Sequence, residues 1–399
     1  DRLGGNMYHV RHSLEGYDWQ KYLQQAIRDT TSHPKISVHL GSEVDSVAGF
    51  VGNFRTTLKG KSAAEIKHGV VVIATGSDEF QPTDFMFGKD PAVITQRDLE
   101  SKLEGDFSSR NVVMIQCVGS RTKERPYCSR VCCGEAVKNA LAIKKRNPDA
   151  NVTILYRDLR TYEYKEIYYR KAREAGVTFV RFPDERYPEV TRRGDALKVK
   201  VFDALLGEEI EIPTDLVALS AANIPLEGNK RMAELLKLPL DENGFFMEAH
   251  IKLRPVDFAN EGIFVCGQAH SPKYTEENIS QALATAGRAG CILSKPFLEV
   301  GGVVSKVDPD KCASCLTCVR ECVYNAPFIN AEGKAEIEAA KCQACGNCAA
   351  ACPAKAIQLA TFTDRQEMSL FVNILRHDGD AGAACGEHAH EHQEELVNA

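Results

Sequence analysis

Two runs of cysteines late in the chain have the spacing of iron–sulfur ligands. The first run follows C-x2-C-x2-C-x3-C, and the second repeats it and is followed by Pro353. In chain order the members are Cys312, Cys315, Cys318 and Cys322, then Cys342, Cys345, Cys348 and Cys352. Two residues between cysteines let one tight loop present three thiolates to neighbouring corners of a cubane, while the fourth thiolate comes from elsewhere. The spacing therefore predicts two [4Fe–4S] clusters.

The fourth cysteine of each run ligates the other cluster in the two-cluster arrangement. The predicted ligand sets are then Cys312, Cys315, Cys318 and Cys352 for one cluster, and Cys342, Cys345, Cys348 and Cys322 for the second. The alternative is a pair of structural zinc sites, which usually show two pairs of cysteines separated by a longer gap. Short apolar runs at 303–307 and 357–359 predict strands at the edges of a small ferredoxin-like fold.

A third group of cysteines lies in the middle of the chain, at Cys117, Cys128, Cys132 and Cys133. Its first member, Cys117, lies at the end of an apolar strand predicted at 111–120, and the group leads into a helix predicted at about 129–146. If Cys128 and Cys132 share one face of the helix start, four thiolates converge at the helix N-terminus, where the dipole favours anionic charge. A third [4Fe–4S] cluster is the favoured prediction. The alternatives are a redox-active thiol pair or buried structural cysteines.

Apolar runs in the rest of the chain predict strands of an α/β fold that position these cysteines. Residues 69–76 read GVVVIATG, as a strand buried on both faces followed by a tight turn would read. Residues 262–267 read GIFVCG and precede a small-residue helix at 278–290. The strands predicted at 111–120 and 151–156 flank a helix and so predict a second Rossmann-like unit. Its first turn lacks the glycine-rich dinucleotide fingerprint.

Composition narrows the classes of function. The chain has 399 residues, 44% hydrophobic and 26% charged, which suits two or three packed domains. A net charge of −6 lacks the basic excess that nucleic-acid binding requires, and no window resembles a membrane span. Twelve of the 15 cysteines crowd into residues 117–133 and 312–352, and a signal peptide is not expected. We therefore expect redox or metal ligation in a reducing cytoplasm.

The ATG turn and the GIFVCG strand resemble those of two-dinucleotide-binding-domain flavoproteins. In that family these strand ends and the following helix N-terminus approach the pyrophosphate and isoalloxazine of the flavin. The resemblance implies FAD contacts from Gly4, Gly5, Asn6, Val44, Ala74, Thr75, Gly76, Gly267, Gln268, Lys273, Asn278, Gln281 and Ala282. Lys273 is expected near the flavin edge, where it could tune N1 or N5, and the alternative is a solvated surface lysine.

The segments QCVGSRTKERPYCSRVCCGEAVKNAL and GFFMEAHIKLRPVDFANEGIFVCGQAH resemble the A subunit of heterodisulfide reductases, and the similarity covers nearly the whole chain. It implies a core with FAD and several iron–sulfur clusters that relays electrons between partner subunits, in some complexes by flavin-based bifurcation. The four cysteines of that family's flavin-proximal cluster match the third group one for one. Family members normally begin with a further cluster region and a G-x-G-x-x-G turn. We therefore expect an N-terminal truncation, or a separate chain that completes the site.

The expected fold is an α/β two-dinucleotide-binding-domain flavoprotein, Rossmann-like and without its first βαβ unit. A small α+β bacterial-type two-cluster ferredoxin domain follows it. The predicted domains are a partial FAD-binding domain at 1–105, an inserted second Rossmann-like domain with the third cysteine group at 106–225, the return of the FAD-binding domain at 226–300, and the ferredoxin domain at 301–363. The tail at 364–399 is expected to be disordered. Its Cys385, His388, His390 and His392 allow a metal site, but we assign them no function.

The expected function is that of an electron-transferring oxidoreductase component of a larger complex, with no catalytic side chain predicted. The expected partners are heterodisulfide reductase B/C-like subunits and hydrogenase or dehydrogenase-type donors in a hetero-oligomer, with a dimer of complexes as one form, in an anaerobe. One alternative is a flavin-free wire of two or three clusters. Another is a component of a quinone-interacting or benzoyl-CoA reductase complex. An NAD(P)H-dependent disulfide reductase is disfavoured, because the dinucleotide turn and a redox cysteine pair are missing from the flavin region.

Overall fold

The chain divides into two compact units in a computed structural model that describes residues 2–194, 196–299 and 301–377. The first unit contains the described residues up to Phe258 together with Gly262–Lys295. The second contains Ala259–Glu261 and the described residues from Pro296 onward. Within the described ranges, no helix has the length and apolar character needed to cross a membrane.

The first unit mixes helices and strands along its whole length. Its helices are α1 (Trp19–Ser32), α2 (Gln96–Lys102), α3 (Cys132–Arg146), α4 (Glu166–Glu174), α5 (Asn229–Leu236) and α6 (Thr275–Leu293). Its strands are β1 (Ser42–Ala48), β2 (Phe54–Gly60), β3 (Ala64–His68), β4 (Val71–Ile73), β5 (Ser77–Glu79), β6 (Val93–Thr95), β7 (Asn111–Val118), β8 (Asn151–Tyr156), β9 (Thr178–Arg181), β10 (Glu189–Arg193), β11 (Ala196–Asp203), β12 (Glu208–Thr214), β13 (Leu216–Ala221), β14 (Asn223–Pro225) and β15 (Ile263–Val265).

A five-stranded parallel sheet of order β6-β13-β7-β8-β9 forms the Rossmann-like part of this unit. Strand side chains alternate between the two faces, so Val112 and Met114 of β7 pack on one side in a core with α3, while Val113 and Ile115 pack on the other. That second side is covered by the antiparallel sheet β10-β11-β12. Burial on both faces explains why β7 reads as a continuous apolar run.

The segments predicted to belong to the flavin domain form smaller sheets. Strands β4 and β15 pair in parallel, β5 and β14 pair antiparallel, and β1-β2-β3 form an antiparallel meander. The prediction that 69–76 forms a strand buried on both faces is wrong, because β4 has three residues and Val72 is 44% exposed. Among the described residues β4 pairs with β15 alone, so its second edge is open.

The second unit is a small α+β fold around the two cysteine runs. It contains β16 (Ser305–Val307), α7 (Thr317–Glu321), β17 (Pro327–Ile329), β18 (Ala335–Ile337), α8 (Asn347–Ala351), β19 (Ile357–Leu359) and α9 (Asp364–His377). Strand β16 pairs antiparallel with β19, and β17 pairs with β18. The strands predicted at 303–307 and 357–359 are therefore both present.

Helix α9 corrects one prediction about the tail. The expectation of disorder is wrong for residues 364–377, because they form a helix that starts with a reciprocal cap. Thr363 Oγ1 accepts from the Gln366 amide at 3.4 Å, and Gln366 Oε1 accepts from the Thr363 amide at 3.0 Å. A threonine followed three residues later by glutamine is the sequence signature of this cap. Cys385, His388, His390 and His392, to which we assign no function, lie outside the described residues.

Candidate functional site

The third cysteine group lies around one cavity in the first unit. Cys117, Cys128, Cys132 and Cys133 all line it. Cys117 is near the carboxyl end of β7, and Cys132 and Cys133 are the first two residues of α3. The prediction that Cys128 shares a helix face with Cys132 is wrong, because the helix begins at Cys132 and Cys128 lies in the preceding loop. The loop geometry, not helical spacing, brings the fourth thiol to the cavity.

The loop before α3 is shaped by backbone conformations that are uncommon for side-chain-bearing residues. Cys117, Arg121 and Arg130 have φ angles of 62°, 56° and 60°. The loop closes through the Arg121 amide, which donates to the Tyr127 carbonyl at 3.0 Å. The amide of Arg130 donates to Cys128 Sγ at 3.3 Å. Left-handed residues at both ends of the loop thus turn it back onto the end of β7.

Burial and positive charge act in opposite directions on these thiols. Burial raises the pKa of Cys132 strongly and raises that of Cys133 to about 12. Burial also raises the pKa of Cys117, although the guanidinium groups of Arg157 and Arg121 oppose the rise. Three buried thiols and one half-buried thiol, Cys128, around one cavity ionise together only if a cationic ligand compensates their charge. This chemistry fits metal ligation.

A cavity in the second unit is lined by Cys312, Cys315, Cys318 and Cys352, which is the set predicted for one cluster. Backbone amides face two of these sulfurs, since Ala335 N lies 3.4 Å from Cys312 Sγ and Ala356 N lies 3.3 Å from Cys352 Sγ. Amide donors of this kind stabilise thiolates. In agreement, hydrogen bonds from the amides of Ala335 and Ser314 lower the pKa of Cys312.

The second predicted set is also held together. The pKa of Cys348 is raised by burial, and Cys322, Cys342 and Cys345 are close enough to raise it further. Its Sγ lies 3.3 Å from Ser305 Oγ, and the Ser305 amide lies 3.5 Å from Cys342 Sγ. Each run thus meets the last cysteine of the other run.

Within the described residues, no group of three or more His, Cys, Asp or Glu side chains is arranged to hold a single metal ion. Ligation of a single metal ion differs from ligation of a cubane, in which every thiolate binds its own iron at a separate corner.

A second cavity in the first unit brings together three of the predicted FAD contacts, Asn6, Gln268 and Lys273. Asn6 Nδ2 donates to Gln268 Oε1 at 3.3 Å and to the Ser77 carbonyl at 2.6 Å. The first turn of α3 borders the cavity through Gly134 and Glu135. The same turn carries Cys132 and Cys133, so it forms a wall common to this cavity and to the cysteine cavity.

Lys273 is buried, with 6% of its surface exposed, so the alternative of a solvated surface lysine is wrong. Its Nζ donates to the Gly267 carbonyl at 2.8 Å and lies 3.2 Å from His270 Nδ1. Burial, and secondarily Arg130, lower the pKa of Lys273 to about 8. Glu277 and Glu248 partly offset this effect. The amine can therefore exchange a proton near neutral pH.

The remaining predicted FAD residues do not line this cavity: Gly4, Gly5, Val44, Ala74, Thr75, Gly76, Gly267, Asn278, Gln281 and Ala282. Some support its edge, since the Gly267 amide donates to Gln281 Oε1 at 2.9 Å and Asn278 Nδ2 donates to the Lys273 carbonyl at 3.4 Å. Val44 lies in the β1-β2-β3 sheet and Ala282 is exposed. A Cβ on Gly4 would overlap Tyr8 and Leu23, so packing accounts for that glycine.

Sequence reasoning missed several charged residues of the cavity, among them Glu79 and Arg97. Burial raises the pKa of Glu79 to about 7, although the Arg97 guanidinium 3.4 Å away opposes the rise. Arg97 Nη2 also donates to Asn223 Oδ1 at 3.1 Å. No motif marks these residues, because they lie in separate segments and meet only in the folded unit.

Comparison with known proteins identifies one family model and several similar proteins. Residues 305–353 match the family model of the 4Fe-4S dicluster domain, a segment that includes all eight cysteines of the two runs. The chain is 37% identical over 296 residues to the A subunit of the Ferredoxin:CoB-CoM heterodisulfide reductase of Methanosarcina acetivorans. That match covers 73% of this chain and 36% of the relative. Over this segment the chain is similar to the family of heterodisulfide reductase A subunits.

Another member of the family is the A subunit of the H(2):CoB-CoM heterodisulfide,ferredoxin reductase of Methanothermobacter thermautotrophicus, which is 35% identical over 297 residues. That match covers 69% of this chain and 44% of the relative. The chain thus spans less than half the length of these heterodisulfide reductase subunits. Among solved structures, thioredoxin reductase from T. acidophilum matches with a TM-score of 0.48 and 18% identity, covering 73% of this chain and 86% of that one.

Proposed function

We propose that this chain is the flavin- and iron–sulfur-containing electron-transfer part of a heterodisulfide-reductase-like oxidoreductase complex. The observation that carries the proposal is the wall formed by the first turn of α3. On one side of it lie four cysteines around a cavity, and on the other lies the cavity of Lys273 and Gln268. A flavin and a cluster bound in these two cavities would have the first turn of α3 between them.

The residues around the cavities fit the FAD and [4Fe–4S] clusters that the family resemblance implies. In the second unit we assign Cys312, Cys315, Cys318 and Cys352 to one [4Fe–4S] cluster, and Cys342, Cys345, Cys348 and Cys322 to the other. In the first unit we assign a third cluster to Cys117, Cys128, Cys132 and Cys133. The N-terminus of α3 supplies a favourable dipole for its negative charge.

The flavin site in this chain is partial. Asn6, Gln268 and Lys273 are the residues that we propose hold and orient the isoalloxazine, and the open edge of β4 leaves room for a further strand. We propose that residues outside this sequence supply the glycine-rich turn for the pyrophosphate. When bound, the flavin accepts electrons in pairs and passes them on singly, or the reverse, and the clusters carry single electrons.

Three groups of this chain act on that chemistry. Lys273, with its pKa near 8, holds a positive charge at the flavin cavity at neutral pH. Glu79 has a pKa of about 7 and can take up or release a proton in the same cavity. The tight packing of Tyr274 against Gly134 keeps water out of the wall between the cavities, because no space remains for a Cβ there.

The proposal extends to the partner subunits and the cellular location of the chain. We infer a cytoplasmic hetero-oligomer with heterodisulfide reductase B/C-like subunits and a hydrogenase or dehydrogenase-type donor, and flavin-based bifurcation as its mode of electron transfer. The names of the relatives, which pair the heterodisulfide with ferredoxin or H(2), support this choice of redox partners. Bifurcation requires that one donor reduces two acceptors of different potential in equal amounts, which steady-state assays of the reconstituted complex measure.

The test of the core proposal is the content of iron, acid-labile sulfide and flavin per chain, measured on anaerobically purified protein together with whatever co-purifies. About twelve irons and about one FAD per chain support three cubanes and a completed flavin site. About eight irons without flavin would reduce the chain to a two-cluster electron wire and overturn the assignment of the third cluster.

A further inference from the structure

The cavity of the third cysteine group is surrounded by arginines. Arg121, Arg130 and Arg160 line it, and Arg157 lies behind Cys117. Two of the four are held tightly, since Arg157 has 3% of its side chain exposed and Arg121 has 16%. We call Arg121 and Arg157 the inner arginines.

The inner arginines are fixed by hydrogen bonds to one another and to the domain. Arg157 Nη2 donates to the Arg121 carbonyl at 2.8 Å, and its Nη1 donates to the Tyr187 hydroxyl at 2.7 Å. Arg121 Nη2 donates to Asp158 Oδ2 at 2.9 Å. The Nη1 of Arg121 is buried and, within the described residues, has no hydrogen-bond partner. These guanidinium groups are therefore held in place beside the thiols.

The carboxylates that pair with these cations are partly exposed. One of them, Asp158, also lines the cysteine cavity, where Arg121, Arg130 and Arg160 outnumber it. Asp158 pairs with Arg121, and Asp184 pairs with Arg157, and the two aspartates are 46% and 57% exposed. Arg130 differs, because its guanidinium points to Glu277 and Tyr162 and is neutralised there. Water screens the outer carboxylates more than the buried inner arginines. The net field at the cysteines is accordingly positive.

A positive field acts unequally on the two redox states of a cluster. A [4Fe–4S] cluster with four thiolates is negative in both states, and reduction adds one electron without forming or breaking a bond. Nearby fixed cations stabilise the more negative, reduced state more than the oxidised state. The reduction potential of such a cluster depends on net charge, hydrogen bonding and solvent exposure.

We propose that Arg121 and Arg157 raise the reduction potential of the cluster held by Cys117, Cys128, Cys132 and Cys133, so that this cluster accepts single electrons readily from the flavin side. The inference rests on the third cluster of the proposed function. It adds that the two inner arginines, and not the cysteines alone, determine the direction in which electrons move.

The experiment compares Arg121→Gln with Arg121→Lys in the full chain purified anaerobically with its co-purifying partners. Dithionite supplies the electron, and EPR-monitored redox titration gives the midpoint potential of the third cluster. Its signal is identified as the one that Cys133→Ser removes. The matched control is Arg181→Gln, because Arg181 lies 3.6 Å from the other oxygen of Asp158 but does not line the cysteine cavity.

We expect Arg121→Gln to lower the reduction equilibrium constant about tenfold, which corresponds to 59 mV for one electron. Arg121→Lys keeps most of the wild-type potential, and Arg181→Gln leaves it unchanged. An unchanged potential in Arg121→Gln, or equal shifts in the Gln and Lys variants, overturns the inference. Absence of the third cluster from the wild-type protein, seen as four fewer irons, overturns the proposed function instead.

Discussion

The Nε2 atom of His270 lies 2.6 Å from Oε2 of Glu248. A carboxylate in this position accepts a hydrogen bond from the Nε2–H group of the neutral imidazole, which leaves Nδ1 as a hydrogen-bond acceptor. Nδ1 in turn lies 3.2 Å from Lys273 Nζ and 3.0 Å from Gln281 Nε2. Burial, and then the charge of Lys273, lower the pKa of His270, which keeps the ring neutral. Glu248 thus fixes the position of the Lys273 amine at the flavin cavity through its contact with His270.

Removal of this carboxylate is expected to loosen the cavity. Glu248→Ala leaves the His270 N–H without its acceptor, which costs about 1–3 kcal/mol for a buried donor. We expect the thermal midpoint of the purified protein to fall by several degrees and flavin retention to weaken. The exposed Glu242 provides the control, and Glu242→Ala should change neither. A Glu248→Ala protein with wild-type melting contradicts the role assigned to the contact.

The pH dependence of stability should reveal the buried amine. Lys273 has a pKa of about 8 in the folded chain against 10.5 for an exposed lysine, so the unfolded chain binds more protons between these values. The free energy of unfolding therefore rises as pH increases from about 8 to 10.5, because the buried amine loses its charge. Below pH 8 the amine is charged in the folded chain, and burial of that charge destabilises the fold to its full extent.

Lys273→Met removes that cost. We expect the variant to melt above wild type at pH 7, with a difference that shrinks towards pH 10, when thermal unfolding is followed at a series of pH values. Lys145→Met, at an exposed position of α3, is the control and should show no such trend. A difference that stays constant with pH would falsify the assignment of the low pKa to Lys273.

The third cluster can be tested by its iron. Cys133→Ser removes one of four thiolates, and we expect the iron content to fall by about four atoms per chain while the ferredoxin-type EPR signals persist. Cys291→Ser is the matched control, because Cys291 is exposed, lies on α6 and belongs to none of the three predicted sets. Unchanged iron in Cys133→Ser indicates buried structural cysteines at this position.

The exchange of the fourth cysteine between the two runs can be tested by pairing substitutions. Cys315 and Cys352 line the same cavity, so the double variant Cys315→Ser with Cys352→Ser should lose one cluster, about four irons. The double variant Cys315→Ser with Cys322→Ser touches both sets and should lose about eight. The reverse order of iron losses means that each run ligates its own cluster.

The wall between the two cavities depends on a glycine. A Cβ on Gly134 would overlap the buried hydroxyl of Tyr274, so Gly134→Ala forces Tyr274 out of place. We expect a loss of stability of about 1–3 kcal/mol and a weaker electronic coupling between flavin and cluster, seen as slower cluster reduction in stopped flow. Gly287→Ala in α6 meets no atom within 4 Å and should be neutral or stabilising. Equal behaviour of the two variants argues against a packed wall.

The sequence by itself determined the features that depend on neighbouring residues. The loop C-x2-C-x2-C needs only local geometry to present three thiolates, so the ferredoxin unit and its match at 305–353 follow from spacing. The strands β7 and β8 likewise follow from apolar runs, since burial on both faces selects such residues. The cap at Thr363 is also readable in the sequence, and it predicts the start of α9 where composition alone suggests disorder.

The tertiary structure decided the features that join distant segments. Arg157 reaches Cys117, Glu248 reaches His270, and Glu79 meets Arg97, and no spacing along the chain marks any of these pairs. Spacing alone puts Cys128 on a helix, but left-handed backbone at Arg130 places it in a loop. Such contacts depend on how the sheets and helices close around the cavities. Periodicity and local spacing carry no information about that closure, whereas the burial and charge that set each pKa arise from it.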